Sequence, residues 1–121
     1  MKTMLGIIMV LHGIAHGVGF AGAWGLSRNI PYKTTLLNGR IDMGPVGIKL
    51  VGVLWLLAGL TFVLAAVTAF TNQPMWLRAT AIALIASTVL TAFELPEAKI
   101  GLALNGVMAV ALIAFVTWQR A

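Results

Sequence analysis

VGVLWLLAGLTFVLAAVTAF, residues 51–70, runs for twenty positions without a charged side chain. Lys49 stands just ahead of it, and the breaker run Thr71-Asn72-Gln73-Pro74 follows it. A helix rises about 1.5 Å per residue, so about 20 apolar residues cross the hydrocarbon core of a bilayer. This stretch meets that requirement with nothing to spare. Outward from it, three more segments read the same way: residues 4–25, free of charge between Lys2 and Arg28; residues 75–93, with Arg78 in the first turn reaching back to the interface; and the uncharged residues 100–119. The expected fold is all-α, a bundle of four transmembrane helices in one integral membrane domain spanning residues 1–121. An even number of crossings places both termini on the same side. The connections are short except for residues 27–45.

Composition agrees. Of 121 residues, 60% are hydrophobic and 9% charged, whereas a soluble domain carries about a quarter of its residues as charges. So few charges cannot cover a globule of this size, and the lipid bilayer is the solvent that fits. The net charge of +5 is spread singly near segment ends, as contacts to anionic headgroups require. With no basic cluster and no groove-binding motif, nucleic acid is not an expected partner. The absence of cysteine excludes disulfides, thiolate metal sites and iron–sulfur clusters.

Tryptophans mark the ends of the crossings. Trp24, Trp76 and Trp118 fall where interfacial belts sit, while Trp55 lies inside the second segment and reads as core. Lys2, Arg78 and Arg120 collect on the terminal side, and Arg28, Lys33, Arg40, Lys49 and Lys99 on the other. The positive-inside rule then turns the long loop of a multi-pass membrane protein towards the cytoplasm. Met1-Lys2-Thr3 and Ala21-Gly22-Ala23 frame the first segment like a cleaved signal peptide, but two histidines interrupt the apolar run such a peptide needs.

Those histidines are the main chemical feature. In His12-Gly13-Ile14-Ala15-His16 they stand four residues apart, so both rings project from one helix face. Gly19 and Ala23 continue that face and leave space beside the rings. Polar side chains at this depth face a bundle interior or a wet cavity. A metal or haem would need further ligands, and the chain has no other histidine. Gly13 and Gly17 form a small-xxx-small pair, which lets another helix approach, within the bundle or from a second subunit.

Thr80, Ser87, Thr91 and Glu94 form a stripe on the third segment. The hydroxyls of Thr80 and Ser87 are expected to bond back to their own helix. Glu94 ends the crossing, ahead of Leu95-Pro96. Asn105 sits roughly 9 Å below the long-loop side and His16 roughly 13 Å, at about 1.5 Å per residue. Asn105 therefore needs a partner that His16 or Glu94 could supply. The expectation is one polar pocket lined by His16, Asn105 and Glu94. The turn Asn38-Gly39-Arg40-Ile41-Asp42 covers it and Lys49 stands at its rim. His12, His16 and Glu94 are the candidates for acid–base chemistry; His16, Asn105, Arg40, Asp42 and Lys49 are the candidates for holding a ligand.

The stretch from Leu11 to Phe20 resembles the opening helix of small bacterial DoxX-like membrane proteins, in which an apolar run leads into His-Gly and then Gly-Phe. Ala98-Lys99-Ile100-Gly101 to Asn105 is similar to the last helix of four-helix relatives. Here His16 stands where many DoxX helices carry Lys, and the charged C-terminal tail is absent. The resemblance implies a four-helix membrane protein and, from some members, a link to quinone-dependent oxidoreductases. The leading functional reading is a module that binds a lipid-soluble molecule such as a quinone, ahead of haem or metal, as an accessory subunit of a homo-oligomer or larger membrane complex. A membrane enzyme using His/Glu acid–base chemistry on a hydrophobic substrate, and an oligomeric transporter or channel, are the alternatives, with a purely structural partner protein after them.

Overall fold

The computed structural model describes residues 2–95 and 98–120, with the side chains of Gln119 and Arg120 excepted. Pro96, assigned above to the turn after Glu94, and the C-terminal Ala121 lie outside the described residues. The elements are α1 (Lys2–Ala23), β1 (Thr35–Leu36), β2 (Ile41–Asp42), α2 (Gly44–Phe70), α3 (Trp76–Phe93) and α4 (Lys99–Arg120). All four helices are long and apolar enough to cross a membrane. The protein is a multi-pass membrane protein, a four-helix bundle in contact with the bilayer.

Consecutive helices pack against each other, α1 on α2, α2 on α3 and α3 on α4. Lys2, at the start of α1, bonds to Asn72 in the α2–α3 turn and lies over the Trp76 ring at 5.9 Å. Phe115, near the end of α4, meets the same ring at 5.1 Å. Both ends of the chain thus share the α2–α3 end of the bundle. Trp76 opens its crossing as expected, but it is buried against Phe115 instead of standing in an interfacial belt. Trp118 is exposed.

Each helix stops where its local chemistry requires. Gly25, at φ +63°, follows α1, and Leu26 N–H returns to Ala21 C=O at 2.9 Å, which satisfies carbonyls that α1 leaves open. α2 ends at the breaker run, where Asn72 takes a left-handed φ of +56°. At its other end α2 begins at Gly44, seven residues before the expected 51. Lys49 limits membrane depth but not helicity, and Pro45 in the first turn gives up only an N–H that has no intrahelical partner. At 27 residues α2 is about 40 Å long, so its first turns stand clear of a core about 30 Å thick.

The long loop folds into a small antiparallel hairpin in which Thr35 pairs with Asp42 and Leu36 with Ile41. Leu37, Asn38 and Gly39 turn it, all at positive φ. Leu37 is held there because its N–H donates to Phe93 C=O at 2.8 Å, tying the hairpin to the end of α3. Leu36 buries beside Ile48, Val51 and Trp55. A second apolar cluster, around Met9, Phe62, Ala65, Leu84 and Met108, fills the terminal half of the bundle. His12 and His16 lie between the two, against Phe62 of one and Trp55 of the other.

Candidate functional site

The interhelical site begins with close approach of α1 and α2. A Cβ at Gly13 would lie 2.7 Å from the Gly59 carbonyl oxygen, and one at Gly59 would lie 2.5 Å from that of Gly13. Gly13 therefore finds its small partner inside the same chain, while Gly17 has nothing within 4 Å. This crossing presses the histidine face of α1 against the aromatic face of α2. The His12 ring lies 4.9 Å from Phe62, and His16 lies 5.1 Å from Trp55. The two imidazoles meet edge to face at 4.8 Å. The space expected beside Gly19 is partly taken, because the Trp55 ring packs where its Cβ would be.

Four side chains from three helices form one hydrogen-bonded chain, all of them buried. His12 Nε2 lies 2.7 Å from Asn105 Oδ1, Asn105 Nδ2 donates to Ser87 Oγ at 2.8 Å, and Ser87 Oγ lies 2.7 Å from His16 Nε2. His16 Nδ1 lies 2.8 Å from the His12 carbonyl oxygen. Carbonyl oxygens only accept, so His12 donates from Nε2 to Asn105 Oδ1 and His16 donates from Nδ1 to the His12 carbonyl. Ser87 Oγ accepts from Asn105 and shares one hydrogen with His16 Nε2. His12 Nδ1 is buried with no hydrogen-bond partner among the described residues.

This arrangement corrects two expectations. The direct partner of Asn105 is His12, not His16 or Glu94; His16 joins it through Ser87. Ser87 does not spend its hydroxyl on its own helix. Thr80 does, donating to Trp76 C=O at 2.8 Å and touching Met9 Sδ at 3.4 Å. Ser87 faces two polar side chains at its own depth, and an interhelical bond satisfies three groups where a backbone bond would satisfy one. Its place in a seven-residue stripe with Thr80 was the available signal.

Beside this network, on the hairpin side, lies a cavity of about 540 Å³. His12, His16 and Trp55 line its inner end. Gly19, Gly22 and Ala23 from α1, Ile48 from α2, Thr91 from α3, and Gly101 and Leu104 from α4 form its walls. Ile30 and Lys33 from the long loop and Glu94 at the C-cap of α3 line its outer end. His12, His16 and Glu94 are thus brought to one cavity, which extends from the histidines to the loop. Asn105 sits behind the histidines and not on the lining.

Arg40, Asp42 and Lys49 are placed elsewhere. Arg40 is exposed on the hairpin. Lys49 extends over the Trp24 ring at 5.1 Å, and its carbonyl accepts from Trp24 Nε1 at 3.0 Å. Asp42 Oδ1 accepts from Gly44 N–H at 3.0 Å and from the Thr34 hydroxyl at 2.9 Å, so it closes the hairpin and turns the chain into α2. Those two bonds, the backbone one first, hold its carboxyl below the usual range. Trp55 and Lys33 line the cavity without having been singled out for it. Lys33 is one of several loop cations, and only the folded loop separates it from the others. Among the described residues no group of three His, Asp or Glu side chains is placed to hold a metal ion.

Comparison of the chain with protein-family models, with characterised proteins and with solved structures finds no match in any of the three.

Proposed function

We propose that the protein is a membrane binding module whose cavity holds a lipid-soluble small molecule, of which a quinone is the candidate class. The observation that carries this reading is the cavity itself. Its about 540 Å³ falls in the range of small-molecule sites, roughly 300–1,000 Å³. Its walls are mostly apolar, with aromatic rings and imidazoles at one end and two charged side chains at the other. A flat ring fits against Trp55 and His16, with an apolar tail along the glycine-lined wall of α1. The resemblance to DoxX-like proteins supports the same class, a place in the bacterial inner membrane, and a role as an accessory subunit. Acid–base catalysis is less favoured by the geometry, because three of the four imidazole nitrogens are spent on bonds within the bundle.

The test is a titration of the protein in lipid nanodiscs with decylubiquinone, read through Trp55 in a variant carrying Trp24→Phe, Trp76→Phe and Trp118→Phe. Saturable quenching is expected. His12→Leu with His16→Leu should remove it, while Ser87→Ala, which breaks the same network without touching the cavity wall, should keep it. Equal loss in both variants would reduce the histidines to packing, and the absence of saturable quenching in the parent would end the reading.

A further inference from the structure

The cavity is not closed on the side between α1 and α4. Those helices are not sequence neighbours and make only sparse contact, in contrast to the three consecutive pairs. Val18 of α1 and Ile100 and Leu104 of α4 line the cavity and are 56%, 71% and 43% exposed, so no further element of the chain covers them. Ala15 of α1, which also lines the cavity and is exposed, adds little bulk to close the seam. Outside this gap is hydrocarbon, because α1 and α4 are membrane-spanning there.

The dimensions indicate what passes through. From Ala23 to His12, the stretch of α1 along the cavity, eleven rises of about 1.5 Å give about 16 Å. Half of a hydrocarbon core about 30 Å thick is about 15 Å. The cavity is as deep as one leaflet. Its outer end carries one basic and one acidic side chain, Lys33 and Glu94, at headgroup level. Its inner end, where a chain would terminate, carries imidazoles whose hydrogen bonds are directed into the bundle.

We infer that the cavity is entered sideways from the hairpin-side leaflet through the gap between α1 and α4, and that a lipid of that leaflet occupies it. One acyl chain lies upright along α1, and the zwitterionic head sits at Lys33 and Glu94. The inference rests on the cavity being a ligand site, and it gives that site a route and a resident. A lipid-soluble ligand such as a quinone reaches the site by the same gap and displaces the chain.

Two tryptophans make this testable. Trp55 and Trp76 are equally buried, at 8% and 7% exposure, but only Trp55 lines the cavity. Single-tryptophan proteins retaining one or the other are placed in phosphatidylcholine vesicles brominated near the head or mid-chain, used in turn. Bromine quenches only near contact, so Trp55 should lose most of its emission in one of these lipids and Trp76 little in either. Ala15→Phe, or separately Val18→Phe, fills the gap from a lipid-exposed position and should restore Trp55. Unquenched Trp55 overturns the proposal, as does quenching that neither phenylalanine relieves. Decylubiquinone titration of the same proteins separates the two readings. If quinone quenches Trp55 and brominated lipid does not, the route and resident fall while ligand binding stands; if neither quenches, both fall.

Discussion

Asn105 has one amide with two ends, and their orientation places the proton on His12. With Oδ1 towards His12 and Nδ2 towards Ser87, His12 donates from Nε2. Nitrogen-15 spectra of the imidazoles should therefore show a proton on Nε2 of His12 and one on Nδ1 of His16, the latter donating to the His12 carbonyl. A His12 proton on Nδ1 in place of Nε2 would mean the amide is reversed. Ser87 is the joint in this chain, and Ser87→Ala leaves Asn105 and His16 each short of a partner. Interhelical bonds in membranes contribute about 0.6 kcal/mol on average, and an unsatisfied buried group costs about 1–3 kcal/mol. Ser87→Ala should lower stability by about 1–2 kcal/mol in reversible detergent unfolding. Thr80→Ala should cost less, because that hydroxyl serves mainly its own helix.

Helix packing depends on which glycines meet another backbone. A Cβ on either Gly13 or Gly59 would meet the other's carbonyl oxygen, and neither carbonyl can move without bending its helix. Gly13→Ala should thus cost about 1–3 kcal/mol by overpacking. Gly17→Ala meets nothing and gains helix propensity of up to about 1 kcal/mol. Measuring the two side by side tests the crossing; equal effects would mean that α1 and α2 do not meet there. The hairpin offers a test of another kind. The Asp42 carboxylate accepts two bonds, which depress its pKa, so its contribution to the hairpin and to the start of α2 is complete above the ordinary carboxylate range. That contribution is lost as pH falls through the lowered folded value. The carboxyl carbon of Asp42 should titrate below that of an unstructured aspartate, and the Gly44 amide resonance should move with it. Asp42→Ala should remove both signals.

For the molecule as a whole, four crossings bring both chain ends to the side of the α2–α3 turn. Cysteines at positions 3, 72 and 118 should be labelled by an impermeant reagent from one side of the membrane, and cysteines at 29 and 38 from the other. By the positive-inside rule, Arg28, Lys33, Arg40, Lys49 and Lys99 predict a cytoplasmic hairpin side, and on that expectation the second set resists labelling in intact cells. Positions 3 and 38 labelled from the same side would remove the four-crossing topology. The outward faces of all four helices are lined by large apolar residues such as Leu11, Leu57, Val89 and Val110, as contact with lipid requires.

The number of crossings, their approximate limits and the inward face of the histidine pair follow from sequence alone. The reason is that the bilayer imposes a length of about 20 apolar residues, and a turn of 3.6 residues imposes the face. The breaker at 71–74 and the Asn38-Gly39 turn were legible for the same kind of local reason. The early start of α2 at Gly44 was not, since hydropathy marks where a helix is wet and not where it begins. Depth along the helices brought His16, Asn105 and Glu94 to one region, but depth carries no information about rotation. Only the crossing at Gly13 and Gly59, with the rotation of α3 and α4 it accompanies, decided that Asn105 would meet His12 and that Ser87 would link it to His16. The cavity comes from the packing of all four helices and the long loop together, which no local feature of the sequence specifies.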